Sequence, residues 1–234
     1  MKDYTLILNY YNKSADLLQR QIEHIKTQTH PPKHTWGCFL GDTSETPNLI
    51  NRFRNCTKDM NGVSIIHSSY NFKYIGRYQL ALTAPTEHII ILDDDRFPKE
   101  NYCKRITEIL SEENCIVNQS GWIDRLSKDR KFIQPGKNNQ PGALIKVDFL
   151  CGGMAFRKRS LQNLFKESIP TTETGEDIMM CLRAKKHNIP VLAYSPATKD
   201  EMLVHDNEGV TSTETDEKML EIRMKLIKNE TISN

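Results

Sequence analysis

Three consecutive carboxylates directly follow a short apolar run in the segment HIIILDDDRFP, residues 88–98. The apolar run is typical of a strand that is buried on both faces of a parallel sheet. Carboxylates at the end of such a strand repel one another and are costly to desolvate unless a cation neutralises them. The segment therefore predicts a divalent-metal site in which Asp93 and Asp95 form a D-x-D motif around Asp94. It fits equally well an acidic turn in which Asp95 or a neighbour caps a helix that begins at Pro98.

Two further residues of suitable chemistry follow predicted strands in the first half of the chain. Asp42 lies in the loop GDTSETPN, residues 41–48, where a carboxylate can accept a hydrogen bond from a nucleobase N–H or a ribose hydroxyl. Arg77 follows the third predicted strand, where a guanidinium can pair with a diphosphate. Taken singly, Asp42 also fits an Asx turn or a helix cap, and Arg77 also fits an ordinary surface arginine.

The second half of the chain adds a glycine pair, an acidic pair and a late histidine. Gly152 and Gly153 follow a predicted strand and would let a ligand approach the backbone closely, although a tight turn has the same composition. Glu176 and Asp177 open a predicted helix, where acids also complement the helix macrodipole. His205 lies in a predicted loop, and a single loop histidine is more often a surface residue than a metal ligand.

The elements that must position these residues alternate between strand and helix over the first ~110 residues. This order predicts an α/β fold with a doubly wound parallel sheet. The second half is less regular, and its polar segment 124–140 is predicted as a hairpin with a mobile loop. The predicted strands are residues 4–8, 35–40, 63–67, 89–92, 116–120, 144–149 and 191–194, and the predicted helices are residues 17–25, 49–56, 78–84, 98–110, 175–186 and 213–228. In residues 151–161 the glycines are predicted to lead into a further helix.

Composition limits the class of protein. The chain has 234 residues, of which 38% are hydrophobic and 26% charged, which is enough for one sizeable core. A net charge of +2 gives no strong electrostatic reason to expect nucleic acid or an anionic membrane as a partner. No segment approaches the ~20 apolar residues that span a bilayer, and no secretory signal is visible. Six scattered cysteines without a CxxC pair indicate reduced thiols, so we expect a soluble cytoplasmic protein.

In this order and spacing, the motifs closely resemble those of glycosyltransferase family 2, whose members are inverting enzymes with the GT-A fold. The similar segments are LILNYYN (6–12), GDTSET (41–46), GRYQLALTAP (76–85), ILDDDRFP (91–98), CGGMAFRKRSL (151–161) and GEDIMMCLRAKKHNI (175–189). The resemblance extends from about Tyr4 to about His205. The chain departs from the family at Gly41, where an aspartate is common. No Q-x-x-R-W motif follows the acidic helix, which argues against a processive polysaccharide synthase.

The resemblance implies a single GT-A-like domain over residues 1–234, with a mostly parallel central sheet, helices on both faces and a smaller mixed region on the acceptor side. Residues 1–97 would form the nucleotide-sugar-binding half and residues 98–205 the acceptor and catalytic half. Residues 206–234 would form a C-terminal helical tail. We expect no segment of the chain to span a membrane.

The function that the resemblance implies is inverting transfer of a hexosyl or deoxyhexosyl group from a nucleotide-diphosphate sugar, with UDP favoured, to a hydroxyl of a glycan or glycoprotein. Mn²⁺ or Mg²⁺ would stabilise the departing diphosphate. Asp177 would be the general base, and Glu176 would orient hydroxyl groups. The implied metal ligands are Asp95, Asp93 and His205, and the implied donor-binding residues are Asp42, Arg77, Asp93, Asp94, Gly152 and Gly153.

The sequence leaves two functions from other classes open. A sugar-1-phosphate nucleotidyltransferase would need a glycine-rich, basic phosphate loop after the first strand, where this chain has NYYNKSAD, residues 9–16, without a glycine. A non-catalytic nucleotide-sugar-binding module or scaffold is disfavoured by the presence of Asp177 together with the acidic triplet.

Overall fold

The computed structural model describes residues 1–11, 14–123, 131–133, 140–205 and 217–232. Its strands are β1 Tyr4–Asn9, β2 His34–Leu40, β3 Val63–Ser68, β4 His88–Leu92, β5 Arg96–Pro98, β6 Ile116–Asn118, β7 Gly121–Ile123, β8 Lys131–Ile133, β9 Leu144–Lys146, β10 Phe149–Leu150, β11 Met154–Arg157, β12 Val191–Tyr194 and β13 Leu203–His205. Its helices are α1 Ala15–Lys26, α2 Thr46–Thr57, α3 Gly76–Ala81, α4 Tyr102–Glu112, α5 Lys158–Leu164, α6 Glu176–Lys186 and α7 Glu217–Ile232.

Among the described residues, eight strands form a central sheet in the order β3-β2-β1-β4-β11-β6-β12-β9. Strands β1 to β4 run parallel to one another. Strand β11 is antiparallel to its neighbours β4 and β6, and β9 is antiparallel to β12. Two small sheets have the orders β10-β7-β8 and β13-β5. The predicted α/β fold with a mostly parallel central sheet is therefore confirmed.

Both faces of the central sheet are covered by helices, which the continuously apolar sequence of β4 predicts. Ile89 and Ile91 face a core built with α3, α5, α6 and α7. Ile90 and Leu92 face a second core built with α1, α2 and α4. All four side chains are completely buried. Burial of each such side chain stabilises the fold by roughly 1.5–3 kcal/mol, so β4 is anchored from both sides where it leads into the acidic triplet.

The segment after the glycine pair is a strand, and the prediction of a helix starting directly there was wrong. Strand β11 inserts antiparallel between β4 and β6, and helix α5 begins only at Lys158. Met154, Ala155 and Phe156 are buried between neighbours on both sides. Three apolar residues are too few to show a helical or a strand period, so the sequence pattern does not reveal this strand.

Other element boundaries also differ from the prediction. The predicted strand 144–149 is divided, because β9 pairs with β12 in the central sheet and β10 pairs with β7 in a small sheet. The helix expected from Pro98 begins at Tyr102, since Pro98 belongs to β5, which pairs with β13. Asp95 therefore does not cap that helix, whose N-cap is Asn101. The same pairing places His205 in a strand rather than in a loop.

Parts of the prediction fall on residues that the structure does not describe. Most of the segment 124–140 and the first residues of the predicted helix 213–228 lie outside the described ranges. The strands that flank residues 124–130 pair antiparallel, as in a hairpin. The division of the chain at residues 97 and 205 stays a prediction. No helix in the described ranges is long and apolar enough to cross a membrane.

A buried histidine opens β4 and is expected to make the stability of the fold depend on pH. His88 is completely buried, and neither of its ring nitrogens has a hydrogen-bond partner among the described residues. Burial, assisted by the charges of Lys2 and Arg157, lowers the pKa of His88 to about 4. The unfolded chain has the ordinary value of about 6.5 and so binds more protons below it. We expect His88 to reduce the free energy of unfolding by about 2 kcal/mol between pH 7 and pH 5.

Urea unfolding at pH 7 and pH 5 tests this expectation. The variant His88→Leu should lose that part of the pH dependence, whereas His34→Leu, at the start of β2, is the matched control. The explanation is wrong if His88→Leu loses as much stability between the two pH values as the unchanged protein does.

Candidate active site

The sheet brings three of the predicted segments to one edge. Because β2 and β4 run parallel on either side of β1, the loop with Asp42 and the acidic triplet follow strand ends that lie at the same edge. Strand β11 runs the other way, and its Met154 is paired with Ile91 near the end of β4. The glycine pair before Met154 therefore lies beside the start of the acidic triplet.

Arg77 links the end of β4 to the start of α6. It is the second residue of α3, its side chain is 7% exposed, and its guanidinium pairs with Asp93 Oδ1 and with Glu176 Oε1, the latter at 2.9 Å. Burial opposes a charged guanidinium, but the carboxylates of Asp93 and Glu176 raise the pKa of Arg77 well above its ordinary value. Arg77 is thus a permanent buried cation that ties together two of the predicted site residues. Its predicted contact with a diphosphate stays a prediction.

Glu176 is almost completely buried at the start of α6. Burial raises the pKa of Glu176 and the charge of Asp177 raises it further, while Arg77 and Arg223 act in the opposite direction. Its charge therefore depends on the two arginines beside it. A carboxylate in this setting is suited to hold a fixed geometry rather than to exchange with solvent.

Asp177 lies in the first turn of α6 and is held by two donors. Its Oδ1 accepts a hydrogen bond from the Ile178 backbone N–H at 2.8 Å, and its Oδ2 accepts one from Arg223 Nη2 at 2.8 Å. Arg223 comes from α7 and is itself buried. The helix α7 packs so closely that a Cβ at Gly175 would lie 2.4 Å from Leu226 Cδ1. The φ of 86° at Gly175 also favours glycine at that position. Arg223 from α7 thus helps to hold the carboxylate of Asp177.

Asp95 faces a histidine on one side and an arginine on the other. His205 Nε2 lies 3.3 Å from Asp95 Oδ2, and Arg96 Nε lies 3.3 Å from Asp95 Oδ1. The pairing of β5 with β13 places His205 directly opposite Arg96. The side chain of Asp95 is 15% exposed, so it is partly open to solvent.

The acidic triplet is clamped from α1 by a buried glutamine. Gln21 Nε2 donates to the backbone carbonyls of Asp93 and Arg96, each at 2.8 Å, and Gln21 Oε1 accepts from the Tyr10 hydroxyl at 2.8 Å. Burial, together with the charge of Asp94, raises the pKa of Tyr10 well above its ordinary value. Asp94 is therefore close enough to influence Tyr10 electrostatically. The turn that carries the three carboxylates is fixed by side-chain hydrogen bonds from a neighbouring helix.

The clamp predicts a measurable loss of stability when Gln21 is replaced. The variant Gln21→Met keeps the size of the side chain but leaves two buried carbonyls and the Tyr10 hydroxyl without this partner, at a cost of about 2 kcal/mol in the free energy of unfolding. Urea unfolding measures it. Gln19→Met, two positions earlier on the same helix and less buried, is the control and should cost far less. Equal losses in the two variants would contradict a clamping role for Gln21.

Asp42 contacts a histidine in the loop that follows β2. Its Oδ1 lies 2.7 Å from His67 Nε2, and both side chains are about half exposed. The preceding Gly41 has φ of 120°, and a Cβ there would lie 2.9 Å from Asn71 Cβ. An aspartate at position 41 would be strained and crowded in this fold. The role of Asp42 in base recognition stays a prediction.

The two glycines of the pair have backbone conformations and neighbours within the protein that favour glycine. Gly153 has φ of 114°, and a Cβ there would lie 2.7 Å from the Ile91 carbonyl oxygen. Gly152 has φ of 75°, and a Cβ there would lie 2.5 Å from Arg96 Cζ. These contacts explain the glycines without a ligand, and their predicted role in donor binding stays a prediction.

The surroundings of Asp95 fit a divalent cation that is also bound by substrate. Asp95 Oδ1 is buried and accepts no hydrogen bond from the described residues, which leaves an acceptor for a cation. No group of three acidic, histidine or cysteine side chains in the described ranges forms a complete ligand set. Mn²⁺ and Mg²⁺ commonly use one or two carboxylates and take their remaining ligands from substrate phosphates and water. Asp95 with His205 fits that arrangement, whereas Asp93 is already paired with Arg77.

Comparison with known families shows which family the chain belongs to. The sequence model described as glycosyl transferase family 2 matches residues 5–165, more than half of the chain. The chain belongs to glycosyl transferase family 2. The match includes the acidic triplet and the glycine pair, while Glu176, Asp177 and His205 lie beyond it. No curated protein matches the chain significantly.

Solved structures confirm that this family 2 chain has the GT-A fold. The mannosyltransferase PcManGT from Pyrobaculum calidifontis, in complex with GDP-Man and Mn²⁺, has a TM-score of 0.61 and 16% identity and is matched over 84% of this chain and 55% of its own. GalNAc-T7 with UDP, GalNAc and Mn²⁺ has a TM-score of 0.65 and 9% identity, and the match covers 82% of this chain and 42% of GalNAc-T7. S. aureus TarS 1-349 has a TM-score of 0.58 and 16% identity, and the match covers 84% of this chain and 60% of TarS 1-349. The chain thus spans about half the length of these proteins.

Sequence reasoning missed four residues that shape the site of this family 2 protein. Two of them left a signal, since Arg96 is adjacent to the acidic triplet and Gln21 is a polar residue on the apolar face of α1. Tyr10 follows the first strand and reads as an ordinary core aromatic. Arg223 lies 46 residues after Asp177 and leaves no local signal.

Proposed function

We propose that this chain transfers a sugar from a nucleotide-diphosphate sugar to an acceptor hydroxyl with inversion at the anomeric carbon. The observation that carries the proposal is the convergence of the acidic triplet after β4 and the acidic start of α6, joined through Arg77, in a family 2 chain. A diphosphate leaving group and an acceptor proton are the two charges that such a reaction must manage. In this arrangement Asp95 could hold a cation for the diphosphate, and Asp177 could take up the acceptor proton.

Donor binding is assigned to the edge of the sheet where the parallel strands end. Asp42 would accept a hydrogen bond from the nucleobase, and Asp93 and Asp94 would contact the ribose and the diphosphate region. Gly152 and Gly153 bring the backbone close to the same edge. Two similar structures, solved with GDP-Man or with UDP, also contain Mn²⁺, which supports a nucleotide-sugar donor. UDP-sugars are favoured as the donor, and a glycan or glycoprotein is proposed as the acceptor.

A divalent cation at Asp95 and His205 would neutralise the negative charge that develops on the departing diphosphate. Asp93 would orient the donor or a water molecule beside that position, because Arg77 holds its carboxylate in place. Fixed charges of this kind lower the barrier without reorganising during the reaction.

Asp177 is proposed as the general base. Its Oδ2 already accepts a hydrogen bond from Arg223, so the remaining lone pairs of the carboxylate are available for the acceptor hydroxyl proton. The acceptor oxygen would form a bond to the anomeric carbon as the bond to the diphosphate oxygen breaks on the opposite face, and the proton would pass to Asp177. Attack from that face inverts the anomeric configuration. Glu176 would orient a hydroxyl group from its fixed position beside Arg77.

A nucleotide-release assay tests the proposed function. Purified protein is incubated with UDP-, GDP- and dTDP-sugars and a panel of glycan acceptors, with Mn²⁺ or with EDTA, and the product of any active pair is examined by proton NMR. The proposal expects acceptor-dependent release of one nucleoside diphosphate with Mn²⁺ and a product of inverted anomeric configuration. A retained configuration would overturn the mechanism. Donor binding without turnover for every acceptor would favour the scaffold alternative.

A further inference from the structure

Asp95 already has a positively charged neighbour within the chain. Arg96 Nε lies 3.3 Å from Asp95 Oδ1, on the side of the carboxylate opposite the contact with His205. The Arg96 side chain is 20% exposed, so the pair is partly shielded from water. A guanidinium at this distance neutralises the same carboxylate that would bind a divalent cation. Arg96 and the cation are therefore alternative partners for Asp95.

The surroundings of Arg96 fix its backbone and leave room for its guanidinium. The Arg96 carbonyl accepts from Gln21 Nε2 at 2.8 Å, and its N–H donates to the Asp93 carbonyl at 3.1 Å. The guanidinium itself lies where a side chain at position 152 would be, since a Cβ there would be 2.5 Å from Arg96 Cζ. A glycine at position 152 is what allows Arg96 to reach Asp95.

The contact between Arg96 and Asp95 is also a loose one. Arg96 Nε is buried, yet it makes no hydrogen bond of good geometry to any described residue. An ion pair without an aligned hydrogen bond is weaker than a bidentate arginine–carboxylate pair. A stronger partner for Asp95 can consequently displace the guanidinium without breaking a directed hydrogen bond at Nε.

We propose that Arg96 is the resident counter-cation of Asp95, that it competes with the divalent cation for this carboxylate, and that it turns to the donor diphosphate when the cation takes its place. This inference rests on the proposed function and deepens it. It implies that the cation binds weakly to the free protein and strongly only together with a nucleoside diphosphate. Because binding free energies are coupled reciprocally, the nucleotide also binds more strongly when the cation is present.

The test measures binding of Mn²⁺ alone, by electron paramagnetic resonance of the free ion. The protein is titrated as wild type and as Arg96→Met, Arg96→Gln and Arg96→Lys, with thermal unfolding to verify the fold of each variant. We expect the two neutral variants to bind Mn²⁺ about tenfold more tightly than the wild type, because a nearby positive charge is removed. Arg96→Lys should stay close to the wild type. The matched control is Arg54→Met, which removes an exposed charge in the last turn of α2.

A second series repeats the titration with saturating UDP and, separately, with GDP. The nucleotide that binds should tighten Mn²⁺ binding in the wild type by a larger factor than in Arg96→Met. Folded neutral variants that bind Mn²⁺ no more tightly than the wild type would overturn the competition, and so would an absence of Mn²⁺ binding to all of these proteins. If neither nucleotide binds while Arg96→Met and Arg96→Gln still tighten Mn²⁺ binding, the competition stands and the proposed function fails.

Discussion

The variant Asp177→Asn is expected to slow sugar transfer strongly while it leaves donor binding in place. The asparagine oxygen can still accept the hydrogen bond from the Ile178 N–H, whereas its amide nitrogen replaces the oxygen that accepts from Arg223, so the variant loses one contact and should otherwise keep the start of α6. It cannot take up the acceptor proton. Loss of a general base typically reduces kcat by roughly 10²–10⁴-fold, and we expect a reduction in this range. Single-turnover kinetics and calorimetric donor binding measure the two quantities separately.

The control for Asp177→Asn is Glu173→Gln, four positions earlier in the chain. It removes a more exposed acid, which pairs with Lys73. It should change neither quantity appreciably. Equal losses of turnover and donor binding in Asp177→Asn would indicate a structural acid, and full turnover would exclude Asp177 as the base.

The variant Arg77→Met is expected to lower the free energy of unfolding by about 3–5 kcal/mol, because it leaves buried Glu176 and its neighbour Asp93 without their shared cation. The effect is large since Arg77 and Glu176 are both 7% exposed. Urea unfolding at neutral pH measures the loss. Turnover should fall as well, because both carboxylates lose the group that holds them.

A double variant separates loss of the ion pair from loss of packing. Arg77→Met combined with Glu176→Gln removes both charges and should recover part of the stability, because no uncompensated buried carboxylate remains at position 176. Arg159→Met, whose side chain is 58% exposed and pairs loosely with Glu87, is the control for loss of an arginine. A loss below about 1 kcal/mol in Arg77→Met, as for a surface ion pair, would contradict the structural role of Arg77.

The regular part of the fold was predictable because its strands and helices carry clear hydrophobic patterns. Residues 89–92 of β4 are all apolar, which indicates burial on both faces, and the structure places them between two helical layers. Strands β5, β11 and β13 were missed, although β6 and β12 are equally short, because their sequences RFP, MAFR and LVH contain no continuous run of strand-forming residues. Their pairing depends on neighbours that are distant in sequence, so no local pattern reports it.

In the candidate site, too, some residues were predictable from the sequence and others were not. The carboxylates after β4 and at the start of α6 were recognised because each is adjacent to an element with a strong pattern. Their partners were not predictable, since Arg77 meets Glu176 across 99 positions and Arg223 meets Asp177 across 46. The reason for glycine at position 152 was likewise not predictable from the sequence, because only the folded structure shows that Arg96 occupies the space beside it.

Calorimetric donor binding to the wild type and to Asp95→Ala tests whether Asp95 holds a cation that the donor needs. UDP-, GDP- and dTDP-sugars are each titrated with Mn²⁺ and with EDTA. We predict that the sugars of one nucleotide bind with Mn²⁺, that EDTA weakens this binding strongly, and that Asp95→Ala loses the dependence on metal. Thermal unfolding of Asp95→Ala verifies that the variant is folded. Absence of binding for every donor with Mn²⁺ present, or metal-dependent binding that Asp95→Ala leaves unchanged, would contradict the proposed site.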